Sequence, residues 1–436
     1  MKIGVVSLGC DKNRVDTEKM LARLIAAGYS IGRTEEESDV IIINTCAFID
    51  SAKKESISEI FNALSYKDKG KKVIVTGCLS QRYLDDLKKD IPEVDAYLGV
   101  ADYDKIVSVV EKITDGEKCA YVCGGDSYLD KRMLTTPSHY AYLKIADGCD
   151  NFCSYCAIPY IRGRYKSEKM DDLIKEASNL ADDGVKELIL VAQDVTNYGK
   201  DLSKDKKPQI VELLDKLCKL DFERIRLLYL EPDAITDELI KKIKDEKKIC
   251  KYVDIPFQSA SDRLLKKMNR HYTNEQMYAL VNKLRKAGIT IRSTFILGFP
   301  GETEEDVEML IKFLQNTSLE CVGFFGYSRE EGTPAAKMEQ CSAKDIKDRL
   351  KRVKAVQNAI IKQKNKGLIG QIIPVMADGI DYDTQSFIGR SERQAPDIDG
   401  IIYFASDEIV EEGNIYNVEI TSSKGADLFG RVVKWD

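Results

Sequence analysis

The hydrophobic pattern of the first 114 residues alternates between short apolar runs and amphipathic stretches. The apolar runs are bounded by turn residues, and in the intervening stretches apolar residues recur every three or four positions. Continuous apolar runs that alternate with helices are typical of parallel strands covered on both faces of their sheet. The predicted strands are Ile3–Leu8, Val40–Ile43, Val73–Thr76 and Tyr97–Val100, and the predicted helices are Val15–Ala27, Ala52–Tyr66 and Leu79–Lys89. Residues 1–114 are therefore predicted to form an α/β domain, and residues 115–137 a connector.

Residues 138–366 repeat this alternation six times and end in a long charged helix. Six consecutive strand–helix units predict a partial (βα)6 barrel, in which ligands bind at the carboxyl ends of the strands. The predicted strands are Ala141–Ile145, Glu187–Val191, Ile225–Tyr229, Tyr252–Ile255, Thr290–Leu297 and Val322–Tyr327. The predicted helices are Met170–Ala181, Gln209–Leu220, Thr236–Asp245, Asn274–Ala287, Glu304–Gln315 and Ala343–Lys366.

Residues 367–436 change character, because their strand candidates are short and separated by Gly, Asp, Asn and Pro. The predicted strands are Ile372–Ala377, Phe387–Arg390, Gly400–Phe404, Val418–Thr421 and Leu428–Val433, which predict a small all-β barrel. The segment has 13 acidic and five basic residues, a net charge of −8, against −6 for the whole chain. A surface that binds tRNA should be basic, because neutralising phosphates dominates affinity. We therefore expect this barrel to attract a basic protein and not to bind tRNA directly.

The composition narrows the chemistry that the chain can perform. It is 43% hydrophobic and 32% charged, and no apolar run reaches the ~18 residues that a membrane span needs. We therefore expect a cytoplasmic protein with no membrane segment. Thiols stay reduced in that compartment, so the twelve cysteines are candidates for metal or redox chemistry. Only two histidines are present, which disfavours His-based catalysis and His-rich metal sites.

One set of cysteines lies at the ends of predicted strands. Cys10, Cys46 and Cys78 each follow one of the first three strands. Parallel strands of one sheet end at the same edge and lie only ~5 Å apart, so three thiols that are distant in sequence can meet there. The alternative is three small buried apolar residues, since a free cysteine often lies in the core. Matched positions on three strands favour a shared metal site.

A second set of cysteines lies on one short loop. Cys149, Cys153 and Cys156 have C-x3-C-x2-C spacing directly after a predicted strand. Three thiolates can hold three irons of a [4Fe–4S] cluster, so that the fourth iron stays open to a substrate. The alternative of structural zinc needs four closed ligands, and such sites use two C-x2-C pairs in most cases. The spacing therefore favours an iron–sulfur cluster.

This cysteine loop, on the first unit of a partial barrel, resembles that of the radical S-adenosylmethionine (SAM) superfamily. The resemblance implies that SAM binds the open iron and is cleaved to a 5′-deoxyadenosyl radical. It also implies that the aromatic Tyr155 packs near the adenine of SAM, and that Gln193, Arg292, Gly298 and Pro300, at or near strand ends, contact the cofactor. Arg162 follows the loop and is interpreted as either a substrate contact or a solvated residue.

The amino-terminal motifs resemble one family within that superfamily, the methylthiotransferases with a terminal TRAM barrel. The matching stretches are Ser7–Glu18, Asn44-Thr45-Cys46 and Thr76-Gly77-Cys78. The resemblance implies that Cys10, Cys46 and Cys78 bind a second [4Fe–4S] cluster, which carries sulfur to the substrate. It also implies an electron donor such as flavodoxin or ferredoxin.

Three stretches resemble the branch of this family that modifies the twelfth small-subunit ribosomal protein on the β-carbon of an aspartate. They are Ser7–Asn13, Glu331–Ala336 and Gly389–Gly400, whereas Ser259 stands where that branch has His. The acidic barrel points to the same basic protein substrate. Two alternatives stay open: a tRNA adenosine methylthiotransferase, and a non-catalytic RNA-binding protein that holds zinc.

Overall fold

The structure, a computed structural model, describes residues 1–122 and 131–433. Its amino-terminal part is a parallel six-stranded sheet in the order β2-β1-β3-β4-β5-β6. The strands are β1 (Lys2–Ser7), β2 (Ser30–Ile31), β3 (Val40–Thr45), β4 (Lys72–Gly77), β5 (Ala96–Leu98) and β6 (Cys119–Tyr121). The helices are α1 (Asp11–Ala26), α2 (Asp50–Leu64), α3 (Cys78–Asp90) and α4 (Ile106–Thr114). Strand β6 lies within the predicted connector, so the sheet continues past residue 114.

The burial of β3 explains its continuous apolar run. Ile41 and Ile43 pack in the core on one face of the sheet, and Val40 and Ile42 pack in the core on the other. All six residues of the strand are buried. A strand covered on both faces cannot alternate apolar with polar residues, which confirms the parallel α/β prediction.

The central part is a second six-stranded sheet, in the order β14-β13-β12-β11-β10-β7. Its strands are β7 (Tyr140–Lys144), β10 (Glu187–Val191), β11 (Arg224–Leu227), β12 (Ile249–Gln258), β13 (Thr290–Leu297) and β14 (Cys321–Gly326), and a small separate ribbon joins β8 (Ala146–Asp147) to β9 (Lys166–Ser167). The helices are α5 (Ile158–Arg162), α6 (Met170–Asp182), α7 (Ile210–Leu217), α8 (Asp237–Asp245), α9 (Asp262–Lys267), α10 (Asn274–Lys286), α11 (Glu304–Thr317) and α12 (Ala343–Lys366). The six strand–helix units predicted from the sequence are confirmed.

The carboxyl-terminal part is a closed five-stranded barrel in the order β15-β16-β17-β19-β18. The strands are β15 (Ile372–Asp381), β16 (Ser386–Arg390), β17 (Ile402–Ala405), β18 (Ile415–Lys424) and β19 (Asp427–Val432). Alternate residues of these strands, such as Val375, Ala377, Ile402 and Phe404, fill the small core. The all-β prediction is confirmed.

The described chain divides into two compact units, each built from several segments of the chain. The first contains Met1–Thr135, Tyr142–Asn179 and Ser328–Ala336, and the second contains Thr136–Ala141, Leu180–Tyr327 and Lys337–Asp436. Both cysteine sets therefore lie in the first unit. No helix of the described residues is long and apolar enough to cross a membrane.

A buried charge cluster in the second unit supplies a test of stability. Glu187 is fully buried, and its carboxylate accepts hydrogen bonds from Arg226 Nε at 2.7 Å and Arg390 Nη1 at 2.8 Å. Although burial opposes its ionisation, the arginines lower the pKa of Glu187 to about 2. Removing one partner of such a cluster leaves uncompensated buried charge, so Glu187→Gln should lower the free energy of unfolding by about 3–5 kcal/mol in urea titrations.

The pH dependence of the unfolding free energy of the same variant gives a second test. The pKa of Glu187 is lower in the folded protein, so its contribution is complete above the unfolded pKa of about 4.3 and is lost as pH falls toward about 2. The difference between wild type and Glu187→Gln should therefore shrink below pH 4. Glu238→Gln, at an exposed glutamate of α8, is the control and should change stability little. A Glu187→Gln variant as stable as this control would contradict the prediction.

Candidate metal centres

The sheet register brings the first cysteine set to one edge. Strands β1, β3 and β4 are adjacent and parallel, and Thr45 pairs with Gly77. Cys46 and Cys78 follow these paired residues directly, and Cys10 follows β1 just before α1 begins. The three thiols therefore lie at the carboxyl ends of neighbouring strands, as the sequence predicted.

Two glycines allow the backbones to approach each other at this edge. Gly9 has a φ of +89°, and a Cβ built on it would lie 2.8 Å from Cys46 Cβ and 3.1 Å from Cys46 Sγ. Gly77 has a φ of +95°, and a Cβ there would collide with Asn44 Oδ1 and the backbone of Thr45. A side chain at either position would meet both steric contact and unfavourable φ, so glycine is needed beside Cys46 and Cys78.

Asn13 connects the segments that carry these cysteines. Its Nδ2 donates to Leu8 O and Thr45 O, both at 3.0 Å, and its backbone carbonyl accepts from Asn44 Nδ2 at 2.8 Å. Its Oδ1 lies 3.7 Å from Cys78 Sγ. The side chain thus fixes the start of α1 against the ends of β1 and β3. In the sequence, Asn13 is only one residue of the family motif. The structure was needed to show that it connects these segments.

Burial and neighbouring charges shift the pKa values of two thiols of the first set. Burial raises the pKa of Cys46, and it raises the pKa of Cys78 to about 12. The charge of Cys10 raises both values further, and the guanidinium of Arg162 lowers both. Metal binding releases the protons of such thiols, because the thiolate is the ligand.

The second cysteine set lies on a tightly folded loop of the same unit. Cys156 N donates to Cys153 O at 3.0 Å, Asn151 N donates to Cys149 Sγ at 3.5 Å, and Cys149 N donates to Gly163 O at 3.2 Å. Phe152 has a φ of 45°, and the guanidinium of Arg164 stacks 4.6 Å from its ring centroid. The loop thus turns back on itself, and α5, which follows it, packs into the core.

Arg162, at the end of α5, connects the two cysteine sets. Its Nη1 donates to Asp147 Oδ2 at 2.6 Å, two residues before Cys149. Its Nη2 donates to Asn13 Oδ1 at 2.5 Å and to Cys78 Sγ at 3.8 Å. The side chain is 1% exposed, so the interpretation of Arg162 as a solvated residue was wrong. Despite burial, Arg162 and Lys144 lower the pKa of Asp147, which stays ionised.

A second contact reaches the same region from a distant segment. Ala335 N donates to Ser154 O at 2.8 Å, between Cys153 and Cys156. The neighbouring Glu330 is buried and accepts from Arg82 Nη1 at 2.8 Å and Lys53 Nζ at 3.0 Å, so it holds this segment against α3 and α2. Sequence reasoning used Glu331–Ala336 only as a family resemblance and missed this supporting role.

The donor chemistry of both sets fits iron–sulfur clusters. Among the described residues, no group of three or more Cys, His, Asp or Glu lies close enough to share a single metal ion. A four-iron cluster does not require this, because each thiolate binds a different iron. Three thiols per set, with a buried cation beside one of them, suit an anionic cluster ligated by thiolates.

Four expected SAM contacts follow strands or lie on the cysteine loop. Tyr155 is on the loop of the first unit. In the second unit, Gln193 comes two residues after β10, and Gly298 and Pro300 follow β13. Gly298 has a φ of +75°, and its N–H donates to Glu302 Oε2 at 2.7 Å. These three residues of the second unit lie at the carboxyl ends of their strands, where ligands bind in such folds.

Arg292 lies earlier in its strand than the other expected SAM contacts. It is the third residue of β13, near the amino end of the strand, and not at the carboxyl end. Its Nη1 donates to Asp254 Oδ1 at 2.8 Å, and its Nε lies 3.5 Å from Asp399 Oδ1. Carboxylates of two other segments thus neutralise the guanidinium.

Comparison with known proteins agrees with all three parts of the fold. Residues 2–99 match the uncharacterised protein family UPF0004, residues 143–314 match the radical SAM superfamily, and residues 369–433 match the TRAM domain. Among solved structures, the radical S-adenosylmethionine methyltransferase TsrM from Kitasatospora setae is similar in fold, with a TM-score of 0.56 at 14% identity over 77% of this chain and 76% of that one.

The chain matches curated relatives over nearly its full length. It is 46% identical to the ribosomal protein uS12 methylthiotransferase RimO of Clostridium botulinum (strain Loch Maree), over 99% of this chain and 98% of the relative. It is 44% identical to the protein of the same name from Acetivibrio thermocellus, with the same coverage. Membership of the radical SAM superfamily implies a [4Fe–4S] cluster and SAM as cofactors. The chain therefore belongs to the ribosomal protein uS12 methylthiotransferase RimO family of radical SAM enzymes.

Proposed function

We propose that this enzyme transfers a methylthio group to the β-carbon of an aspartate in ribosomal protein uS12. The observation that carries the proposal is the presence of two cysteine sets in one compact unit, connected through Arg162. A reaction that makes a carbon radical and then adds sulfur to it needs both activities close to one substrate atom. The full-length similarity to proteins named for this activity supports the same assignment.

Each cysteine set has its own role in the proposal. Cys149, Cys153 and Cys156 hold the cluster that binds SAM, and Cys10, Cys46 and Cys78 hold a second cluster that carries the sulfur. When bound, these groups supply a radical able to remove hydrogen from an unactivated carbon, and the methylthio group that replaces it. The protein supplies position: the loop of the first unit presents three thiolates, while Gly9 and Gly77 keep the edge of the sheet narrow around Cys46 and Cys78.

SAM is proposed to contact four residues of this chain. Tyr155 packs against the adenine, and Gln193, Gly298 and Pro300 border the cofactor from the carboxyl ends of β10 and β13. A side chain is excluded at position 298, because φ is positive and an added Cβ would clash with Ile346. Glycine therefore leaves space on this side of the proposed cofactor site. Arg292 is a fifth candidate contact, and its guanidinium is engaged by Asp254 and Asp399.

The acidic barrel is the proposed docking surface for the basic protein substrate. Asp407, Glu408, Glu411 and Glu412 are exposed around Ile409, whose side chain is 89% exposed. Acidic groups around one apolar side chain suit a partner rich in lysine and arginine, and they repel the phosphates of tRNA.

The triple variant Asp407→Lys, Glu408→Lys, Glu412→Lys should bind uS12 about tenfold or more weakly, with a smaller dependence on salt. Binding is measured by titrating labelled uS12 at two salt concentrations. The control is the pair Asp245→Lys and Asp348→Lys, which reverses exposed acidic charge on α8 and α12 and should leave affinity close to wild type. Equal affinities for both variants would remove the barrel from the docking surface.

The function itself is tested by mass spectrometry on two substrates. The anaerobically reconstituted enzyme is incubated with SAM, a sulfide source and an electron donor, and with either uS12 or bulk tRNA. We expect uS12 to gain the mass of one methylthio group in place of one hydrogen, on an aspartate. A gain on tRNA and none on uS12 would establish the tRNA alternative, and zinc with no inorganic sulfide would establish the non-catalytic one.

A further inference from the structure

Arg162 is a buried cation whose partners come from both cysteine sites. Its guanidinium donates to Asp147, beside the second set, and to Asn13 and Cys78 of the first set. Asp16 Oδ2 lies 3.2 Å from Nη2. All of these residues belong to the first compact unit. One planar group, with its donors in a fixed fork, thus contacts the edge of the sheet and the start of the cysteine loop together.

Among the hydrogen bonds and ion pairs of Arg162 and Lys144 described here, the charges balance without the cysteines. Arg162 and Lys144 face Asp16 and Asp147, and Lys144 Nζ donates to both carboxylates. This is two positive and two negative charges. Any negative charge that develops on Cys78 is additional, and Arg162 is the cation in contact with that sulfur. The position of the guanidinium therefore suits an anionic ligand set at Cys10, Cys46 and Cys78.

We propose that Arg162 is a positioning residue that raises the reduction potential of the cluster at Cys10, Cys46 and Cys78. This inference rests on the proposed function, which places a cluster there. A positive charge and a hydrogen bond at a ligating sulfur stabilise the cluster after it accepts an electron, because the reduced form is the more negative one. Since the same guanidinium holds Asp147, the first cysteine set is also tied to the segment that leads to Cys149.

The competing interpretation is that Arg162 only stabilises the fold. Arg132 offers a matched control, because its side chain is also 1% exposed and also lies in the first unit between two carboxylates, Glu18 and Glu176. A lysine also lies beside the carboxylates in both cases: Lys19 Nζ is 3.2 Å from Glu176, and Lys144 pairs with Asp16 and Asp147. Loss of either arginine therefore removes one buried positive charge and leaves a lysine in place. Of these two arginines, Arg162 is the one that donates to a cysteine of either set in the bonds described above.

The experiment measures the potential of the first cluster alone. Cys149, Cys153 and Cys156 are all replaced by Ala in the full-length chain, and iron and sulfide are measured after anaerobic reconstitution. The cluster is then titrated with mediator dyes, which transfer one electron to it, and its reduction is followed by electron paramagnetic resonance. In this triple-alanine protein, Arg162→Gln should shift the reduction potential of the cluster to a more negative value. Arg162→Lys, which keeps the charge, should shift it less, and Arg132→Gln should leave it unchanged.

A second variant should move the potential in the opposite direction. Asp16→Asn removes a buried negative charge near Arg162 and is nearly isosteric, so the potential should become less negative. Opposite shifts cannot come from a general loss of structure, and urea unfolding of each variant checks that it is folded. If Arg162→Gln does not fold, the Asp16→Asn and Arg162→Lys variants decide the question.

The outcomes separate this inference from the function on which it rests. Iron and sulfide absent from the triple-alanine protein would overturn the proposed first cluster itself. A cluster that forms normally, with the same potential in the Arg162 variants, Asp16→Asn and Arg132→Gln, would leave the cluster in place and overturn the role of Arg162.

Discussion

Replacement of Cys153 by Ala is expected to abolish cleavage of SAM while iron remains bound at Cys10, Cys46 and Cys78. Cys153 is buried on its loop, and its carbonyl accepts from Cys156 N, so the loop can keep its fold without the thiol. Two remaining thiolates cannot hold a four-iron cluster with one open iron. The measurements are 5′-deoxyadenosine by chromatography, expected to fall below detection, and iron content, expected to fall from about eight to about four per chain.

The matched control for this variant is Cys250→Ala. Cys250 is also buried, on β12, and stands apart from both cysteine sets in sequence. Its replacement should leave both the iron content and 5′-deoxyadenosine formation close to wild type. Formation of 5′-deoxyadenosine by the Cys153→Ala protein would show that this loop does not hold the SAM-cleaving cluster.

Replacement of Cys78 by Ala is expected to separate the two activities in the opposite way. Cys78 begins α3 at the edge of the first sheet, where Gly77 and Asn13 fix its position. Loss of this thiol should remove the proposed sulfur-carrying cluster and leave the loop of Cys149, Cys153 and Cys156 unchanged. Cleavage of SAM should therefore continue, uncoupled from product, while methylthio-uS12 falls at least about 100-fold, a loss of nearly 3 kcal/mol in transition-state stabilisation.

Both products are measured in one reaction, so each variant reports on both sites. In Cys78→Ala, 5′-deoxyadenosine without methylthio-uS12 is the expected result. Undiminished methylthio-uS12 would show that the first cysteine set does not supply sulfur. Loss of 5′-deoxyadenosine as well would show that the two sites depend on each other structurally, and the separate roles proposed here would then be wrong.

Local sequence patterns determined most of the fold. Buried parallel strands such as β3 must be apolar on both faces, so their runs were visible without any knowledge of their neighbours. Helix α12 was predicted over Ala343–Lys366 and begins and ends there. The four short strands β2, β6, β8 and β9 were missed, because two or three residues carry too little periodicity to be distinguished from a loop. One of them, β6, lies within the predicted connector.

The sequence by itself predicted the candidate cluster ligands but not the residues that surround them. Cysteine spacing and strand ends are local features, so both sets were identified from the chain alone. The environment of the ligands is a property of the tertiary structure. From the sequence, Arg162 could be a substrate contact or a solvated residue. Its burial depends on Asn13, Asp16 and Cys78, which lie far away in sequence. The chemistry of a thiolate can be read from its neighbours along the chain, whereas the charge that balances it is fixed only when distant segments pack together.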